Sequence, residues 1–199
     1  MQKDSLSEDA QDCLDEIKGA VDRANRIVSE LLDFTRETAS NTQICSVKSI
    51  VEGALRLADI PATVTLEIEE APELDVDVDA DQIERILVNL LNNACQAMDQ
   101  QGTIVLSTSI EDDMIILSVS DTGPGIAGEL RERIFEPLFT TKITGIGLGL
   151  AVSSRYAQQN GGRIELASSD ASGSTFQLKL PAITTGGSDA QQTASPDNK

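Results

Sequence analysis

The chain has 199 residues, 40% of them hydrophobic, which is enough for one well-buried domain with an appended segment. Its formal net charge is −18 and its acidic residues are spread along the chain, so we expect no binding to nucleic acid or to an anionic membrane surface. These residues include no histidine, which excludes an imidazole base, metal ligand or phosphate acceptor among them. With no apolar run of roughly 20 residues and no basic signal segment, we expect a soluble, cytoplasmic chain.

The first forty residues carry a heptad pattern. Apolar residues recur at alternating steps of three and four, which predicts a long helix with a narrow apolar stripe: Leu14, Ile17, Val21, Ala24, Val28 and Leu31. Such a stripe needs a covering partner. Packing back onto its own domain, homodimerisation through residues 5–36 and a missing partner hairpin all remain open.

Residues 41–183 mix helix and strand patterns. We predict helices over 45–58, 80–99 and from about 150 to 159, and strands over 64–70, 103–110, 114–120, 163–168 and 174–180. Asp79, with Gln82 three residues later, is the expected N-cap of the second helix. Hairpin strands combined with long helices favour an α/β fold, a two-layer α/β sandwich with a mixed sheet. The small polar residues 184–199 predict a disordered tail.

A strip of glycines precedes the last predicted helix. In TTKITGIGLGL, residues 140–150, Gly145, Gly147 and Gly149 alternate with aliphatic residues such as Leu148. Backbone N–H groups at a helix N-terminus form an anion site, although glycine-rich turns are also common without one. Lys142 starts the strip, where it could either meet a phosphate or remain solvated.

Two further groups of polar residues suggest a binding site. Asn89 and Asn93 lie four residues apart at the edge of a helical apolar stripe, and a carboxamide oxygen suits Mg²⁺ unless it bonds to backbone. In DTGPGI, residues 121–126, Asp121 follows a predicted strand, and Gly123 and Gly125 would let a planar group approach the backbone. The alternative for this second group is a tight surface turn.

Five motifs together resemble a known family. The order NLLNNA, DTGPGI, IFEPLFTTK, GIGLGL and GSTF closely resembles the N, G1, F, G2 and G3 boxes of the catalytic ATP-binding domain of sensor histidine kinases. These kinases belong to the wider GHKL, or Bergerat-fold, ATPase group, and the resemblance covers about residues 45–181. Residues 21–37, VDRANRIVSELLDFTRE, look like the second helix of the kinases' dimerisation and phosphotransfer hairpin. Residues 1–40 would then be the remnant of that hairpin.

The resemblance implies ATP and Mg²⁺ as cofactors. Asn93 should ligate Mg²⁺, Asn89 should line the phosphate side, and Lys142 could contact a phosphate. The strip that should give backbone amides to the phosphates comprises Gly145, Gly147, Leu148 and Gly149. Residues from about 127 to 148 should form a lid over ATP.

The same resemblance assigns the adenine end. Asp121 should accept a hydrogen bond from the adenine amino group, while Gly123 and Gly125 allow the purine to approach the backbone. Residues 173–175 should close this end, with the Thr175 hydroxyl acting through water.

Transfer of phosphate is favoured over hydrolysis. Gyrase-like ATPases carry a water-activating glutamate four residues before the metal-binding asparagine, but Asn89 occupies that position here and cannot take a proton at neutral pH. We therefore expect transfer of the γ-phosphoryl group to a positioned nucleophile, with a response regulator or a histidine-bearing phosphotransfer domain as partner.

The acceptor histidine of the family is missing from these residues. The favoured account is a piece of a longer sensor kinase, whose full-length form could be membrane-anchored, because the chain starts where the first hairpin helix would end. A stand-alone domain acting in trans and an ATP-binding regulatory or partner-docking module without phosphotransfer are the alternatives. Anti-sigma-factor serine kinases share the ATP fold but lack the heptad helix, so we disfavour them.

Overall fold

The computed structural model describes residues 40–69, 73–142 and 145–183, together with single positions between residues 10 and 28. These single positions, which are all helical, are 10, 11, 13, 14, 17–21, 24 and 28. Leu14, Ile17, Val21 and Val28 are each at least half exposed. The rest of the predicted 1–40 helix and the predicted tail over 184–199 lie outside the described residues.

The described domain consists of seven strands, three helices and two short 3₁₀ turns. The strands are β1 (Gln43–Ser46), β2 (Val64–Ile68), β3 (Asp75–Val78), β4 (Gly102–Glu111), β5 (Met114–Asp121), β6 (Arg163–Asp170) and β7 (Gly173–Pro181). The helices are α1 (Val47–Leu57), α2 (Ala80–Ala97) and α3 (Gly149–Gln159), and the 3₁₀ turns are Gly128–Leu130 and Arg133–Phe135.

Five strands form a mixed sheet, in the order β2, β4, β5, β7, β6. Strand β2 runs parallel to β4, and the other neighbours are antiparallel. Asp112 and Asp113 join β4 to β5 with positive φ angles of 47° and 61°, as a two-residue type I′ hairpin requires. The predicted α/β sandwich with a mixed sheet is confirmed.

Helix α2 is central to the core. It begins at the predicted cap, where the Asp79 side chain accepts a hydrogen bond from the Gln82 backbone N–H at 3.2 Å. One face of the helix is almost fully buried against the inner face of the sheet through Ile83, Ile86, Leu87, Leu90 and Leu91. Because Asn89 and Asn93 border this face, burial of the apolar stripe fixes where their amides point.

The structure corrects several predicted boundaries, and the strand predicted over 163–168 continues to Asp170. The helix predicted over 45–58 starts only at Val47, because residues 43–46 form β1 and pair antiparallel with β3. The helix predicted over 80–99 ends at Ala97, since Asp99 and Gln100 have positive φ angles. The strand predicted over 64–70 ends at Ile68.

A buried asparagine locks α3 to the start of α2. Asn160 donates to the Gln82 carboxamide oxygen at 2.8 Å and accepts a hydrogen bond from the Asp79 backbone N–H at 2.7 Å. Its oxygen also accepts a 3.4 Å hydrogen bond from the Ser40 hydroxyl. These contacts fix the relative positions of the two helices that carry the predicted phosphate-side residues.

None of the helices in the described ranges combines the length with the apolar composition that a membrane-spanning segment needs.

Candidate nucleotide-binding site

A relay of amides joins α2 to α3. The Asn89 amide nitrogen donates to the Ser153 hydroxyl at 3.0 Å, and the Asn89 oxygen accepts a hydrogen bond from the Asn93 amide nitrogen at 3.3 Å. This orientation turns the carboxamide oxygen of Asn93 away from Asn89. The predicted metal ligand therefore presents its oxygen to another partner.

That partner is Lys142. Its Nζ donates to Asn93 Oδ1 at 2.8 Å and to Gln96 Oε1 at 2.7 Å. Partial removal of the ammonium group from water lowers the pKa of Lys142. Two amide oxygens that converge on one positive charge make a hard donor set that also fits Mg²⁺.

The glycine strip lies against the same helix and against the preceding loop. A Cβ at Gly149 would strike the Asn89 side chain, and a Cβ at Gly147, where φ is +74°, would strike the Phe139 carbonyl. Leu148 is 1% exposed, so it anchors the strip in the core. Close packing on both sides therefore requires residues without side chains at 147 and 149.

The first turn of α3 suits an anion. Its N-cap is Leu148, which makes no side-chain capping hydrogen bond and carries no polar group that could make one. The first turn also contains no acidic residue. The N–H groups of this turn therefore meet neither a capping oxygen nor a repelling charge from these positions.

The second part of the site surrounds Asp121, at the end of β5. Asp121 is 9% exposed, and burial raises the pKa of its carboxyl, although Oδ1 accepts a hydrogen bond from the Gly123 backbone N–H at 2.8 Å. A Cβ at Gly125, where φ is +75°, would strike the Asp170 carbonyl. A Cβ at Gly173 would strike the carbonyl of Asp121 itself.

Thr175 lies on the other face of the sheet. It pairs with Ser120 and shares a 2.9 Å hydrogen bond with that hydroxyl, whereas Asp121 pairs with Ser174. Because side chains alternate along a strand, Ser174 shares the face of Asp121 and Thr175 does not. Ser174 lies within the predicted range 173–175, but the hydroxyl role was predicted for Thr175. The alternation of side chains along GSTF was the available signal.

Helix α2 connects the two parts. Its Asn89 side chain bonds to Ser153 of α3, and its Asn93 and Gln96 side chains bond to Lys142. At its C-terminal end, a Cβ at Gly123 would lie 3.4 Å from the Ala97 carbonyl oxygen. Gln96 was also missed, although its spacing of three residues from Asn93 places both on one helix face. Helix α2 thus lies against both the Lys142 part and the Asp121 part of the predicted site.

The loop before the glycine strip is held by aromatic contacts. Phe135 packs edge-on against Phe176, with ring centres 6.5 Å apart, and the Arg133 guanidinium lies 4.3 Å from the centre of the Phe139 ring. The Leu138 backbone N–H also donates to the Gly147 carbonyl at 2.9 Å. This loop is therefore tied to both the core and the glycine strip.

A cavity of about 270 Å³ lies beside β6, outside the predicted site. It is lined by Arg131, Glu132, Phe135 and residues 164–169. Its Ser169 hydroxyl shares a 3.0 Å hydrogen bond with Ser174, so the cavity borders the Asp121 end without containing a predicted site residue.

Comparison with known proteins identifies the family. Residues 78–184 match the model of the histidine kinase-, DNA gyrase B- and HSP90-like ATPases. Sensor histidine kinase ZraS of Escherichia coli K12 is 38% identical over 168 residues, which cover 82% of this chain and 36% of that protein. Sensor protein FixL of Bradyrhizobium diazoefficiens is 38% identical over 80% of this chain and 33% of its own length. The chain thus spans about a third of these relatives.

Solved structures show the same fold. Full-length ShkA in complex with AMPPNP superposes with a TM-score of 0.75 at 25% identity, covering 89% of this chain and 40% of that one. The catalytic domain of histidine kinase ThkA gives a TM-score of 0.65 at 27% identity, over 71% of this chain and 96% of that one. The chain therefore belongs to the histidine kinase-, DNA gyrase B- and HSP90-like ATPase family, and its ATP-binding domain has the GHKL fold.

Proposed function

We propose that the chain is the ATP-binding kinase domain of a two-component sensor histidine kinase. It donates the γ-phosphoryl group of ATP to a histidine outside these 199 residues. The observation that carries the proposal is the pairing of a cation-facing Asn93 oxygen with an uncapped helix N-terminus on the neighbouring helix. One accepts a positive charge and the other favours a negative charge, as a metal–phosphate pair requires.

The adenine end is assigned to the surroundings of Asp121. A carboxylate accepts more than one hydrogen bond, so Asp121 can bond to Gly123 and still accept one from the adenine amino group. The purine would approach the backbone at Gly123 and Gly125, although the Asp170 carbonyl takes the space on the Cβ side of Gly125. Ser174 supplies the hydroxyl beside Asp121, in the role that the sequence alone had assigned to Thr175.

The phosphate end is assigned to α2 and α3. Asn93 would hold Mg²⁺, and Asn89 would line the phosphate side. When bound, Mg²⁺ would neutralise phosphate charge and fix the phosphate oxygens for transfer. Backbone amides would come from the glycine strip, comprising Gly145, Gly147, Leu148 and Gly149.

Transfer, rather than hydrolysis, follows from the chemistry of residue 89. Asn89 commits its nitrogen to Ser153 and its oxygen to Asn93, and neither group takes a proton at neutral pH. A water molecule at this position would have no general base. The chain can align the donor phosphate, while the nucleophile must come from the partner.

The proposed partners are a histidine-bearing phosphotransfer domain and a response regulator. Histidine kinase ThkA, which shares the fold at 24% identity, has been solved in complex with response regulator protein TrrA. Residues 5–36 would form a dimerisation helix, residues 41–183 the catalytic domain and residues 184–199 a tail. Because ATP is the proposed donor, we expect the domain to work on the cytoplasmic side.

A second candidate is an ATP-binding regulatory module that binds nucleotide at the same site and transfers no phosphate. The two candidates can be separated with γ-labelled ATP and a histidine-bearing hairpin from a sensor kinase. We expect acid-labile, base-stable label on the hairpin, and none with Asn93→Ala. Bound ATP without any transfer would support the regulatory module, and rapid release of labelled inorganic phosphate would contradict both readings.

A further inference from the structure

Lys142 reaches back over the helix that carries the proposed metal ligand. Asn93 and Gln96 project from neighbouring turns of α2, and both place their amide oxygens within hydrogen-bond distance of one Nζ. Lys142 is separated from them in sequence by more than 40 residues. This long-range contact holds the residue 138–142 loop against α2.

The amide pair formed by Asn93 and Gln96 is set in advance for a cation. The relay from Ser153 through Asn89 holds the nitrogen of Asn93, so its oxygen points outward. An amide oxygen accepts hydrogen bonds or binds a cation, whereas an ammonium group only donates. The Lys142 ammonium therefore occupies the position between the two oxygens that a bound metal cation would take.

We propose that the Asn93–Gln96 pair is a two-oxygen cation site for which Lys142 and a divalent metal ion compete. In the nucleotide-free chain Lys142 holds the site. Arrival of the metal with its nucleotide displaces the ammonium, which then faces the phosphates. Gln96 thus supplies a second oxygen ligand of the metal site. Lys142 is a positioning residue, because displacement of its ammonium by the metal removes the contact that holds the 138–142 loop against α2. This inference rests on the proposed function for the identity of the incoming metal.

The charge of the site explains why replacement of the Lys142 ammonium by a metal ion would depend on nucleotide. The pair supplies two neutral oxygens and no carboxylate, so it offers a bare divalent ion little compensation for lost hydration. Lys142 is tethered beside the pair at a high effective concentration. Phosphate oxygens would add the negative charge that lets a metal–nucleotide complex prevail. Lys142 would therefore reduce occupation of the site by metal alone.

The first test needs neither metal nor nucleotide. Hydrogen exchange of the 138–142 amides is measured in wild type, Gln96→Met, Lys142→Met and Lys48→Met. Gln96→Met keeps the chain length but removes the acceptor, and Lys48→Met removes the same charge from an exposed position on α1. We expect exchange roughly 3- to 10-fold faster in Gln96→Met and Lys142→Met, from loss of a charged hydrogen bond, and no change in Lys48→Met. Wild-type exchange rates in both variants would overturn the contact.

The second test measures binding of Mn²⁺ alone, by paramagnetic resonance of the free ion. Lys142→Met should bind Mn²⁺ roughly 10-fold more tightly than Lys48→Met, because both lose one positive charge but only one loses the competitor. Adding Gln96→Met to Lys142→Met should remove this gain. Equal affinity of the two single lysine variants would overturn the competition. Since ATP is absent from both tests, their failure is distinct from a failure to bind nucleotide.

Discussion

Asparagine in place of Asp121 should separate nucleotide binding from folding. The substitution keeps the shape of the side chain and its Oδ1 acceptor for the Gly123 N–H group, which lies 2.8 Å away in the native chain. It removes the negative charge proposed to receive the adenine amino group. Hydrogen bonds to charged groups contribute about 1.5–3 kcal/mol, so we expect ATP affinity to fall roughly 10- to 100-fold.

Stability should change in the opposite direction. Burial raises the pKa of Asp121, so at this position the folded chain binds a proton more tightly than the unfolded chain does. The resulting stabilisation is present below the ordinary aspartate pKa and is lost as pH rises through the raised value. Asp121→Asn has no such loss, and at neutral pH it should be at least as stable as wild type.

Calorimetric titration with an ATP analogue and thermal unfolding would measure the two effects. Asp113→Asn makes the same change in the exposed turn at the far end of β5, where asparagine also tolerates a positive φ, and should alter neither property. Wild-type affinity should also fall on acidification, as Asp121 gains a proton. Unchanged affinity in the folded Asp121→Asn variant would refute the adenine assignment, and a large loss of stability would refute the burial argument.

Three further predictions concern stability, measured by urea unfolding. Gly173→Ala should lower the free energy of unfolding by about 2–4 kcal/mol, because residue 173 has a φ of +145° and its Cβ would strike the Asp121 carbonyl. A Cβ at Gly128 meets no other atom, so Gly128→Ala should change this free energy by less than about 0.5 kcal/mol. Asn160→Ala should lower the free energy of unfolding by about 2–4 kcal/mol, because it leaves several buried hydrogen-bonding groups without this partner. Glu165→Gln should lower the free energy of unfolding by about 0.5 kcal/mol at pH 7 and leave it unchanged in acid. A hydrogen bond from Lys179 lowers the pKa of Glu165, so the stabilisation by this carboxylate disappears as pH falls through the lowered pKa.

Each of these predictions has a clear contrary result. Equal stability of the two glycine variants would remove the close-approach argument at residue 173. A neutral Asn160→Ala would mean that the buried amide is replaceable by water. A Glu165→Gln penalty that persists in acid would show that packing, rather than charge, stabilises that position.

The sequence predicted α2 well because several local signals agree there. Its apolar residues recur with helical spacing, and Asp79 caps its first turn. The hairpin of β4 and β5 was equally accessible, since each strand is a continuous run of strand-forming residues around a short polar turn. Both assignments depend on neighbours within one element.

Strands β1 and β3 were missed because their pairing is not local. In DVDV, residues 75–78, Val76 and Val78 are fully buried while the aspartates face outward. This alternation is a strand signature, but the acidic content concealed it, and the partner strand lies about 30 residues earlier. Only the folded chain shows which segment covers the valines.

The predicted site divides in the same way into local and non-local information. Motif order predicted the asparagines, Asp121 and the glycine strip as candidates, but it did not fix which hydroxyl of GSTF faces Asp121. Strand register decides that question, and it selects Ser174. The contact of Lys142 with Gln96 was likewise inaccessible, because it joins residues 46 positions apart.

Calorimetric titration with Mg²⁺ and a non-hydrolysable ATP analogue tests the central claim most directly. Wild type should bind the analogue only weakly without Mg²⁺ and clearly more tightly with it. Gly147→Ala, whose Cβ would strike the Phe139 carbonyl, should lose most of this binding while Gly128→Ala retains it. Binding that is independent of Mg²⁺ and equal in both glycine variants would contradict the account, as would no binding by the folded wild-type chain.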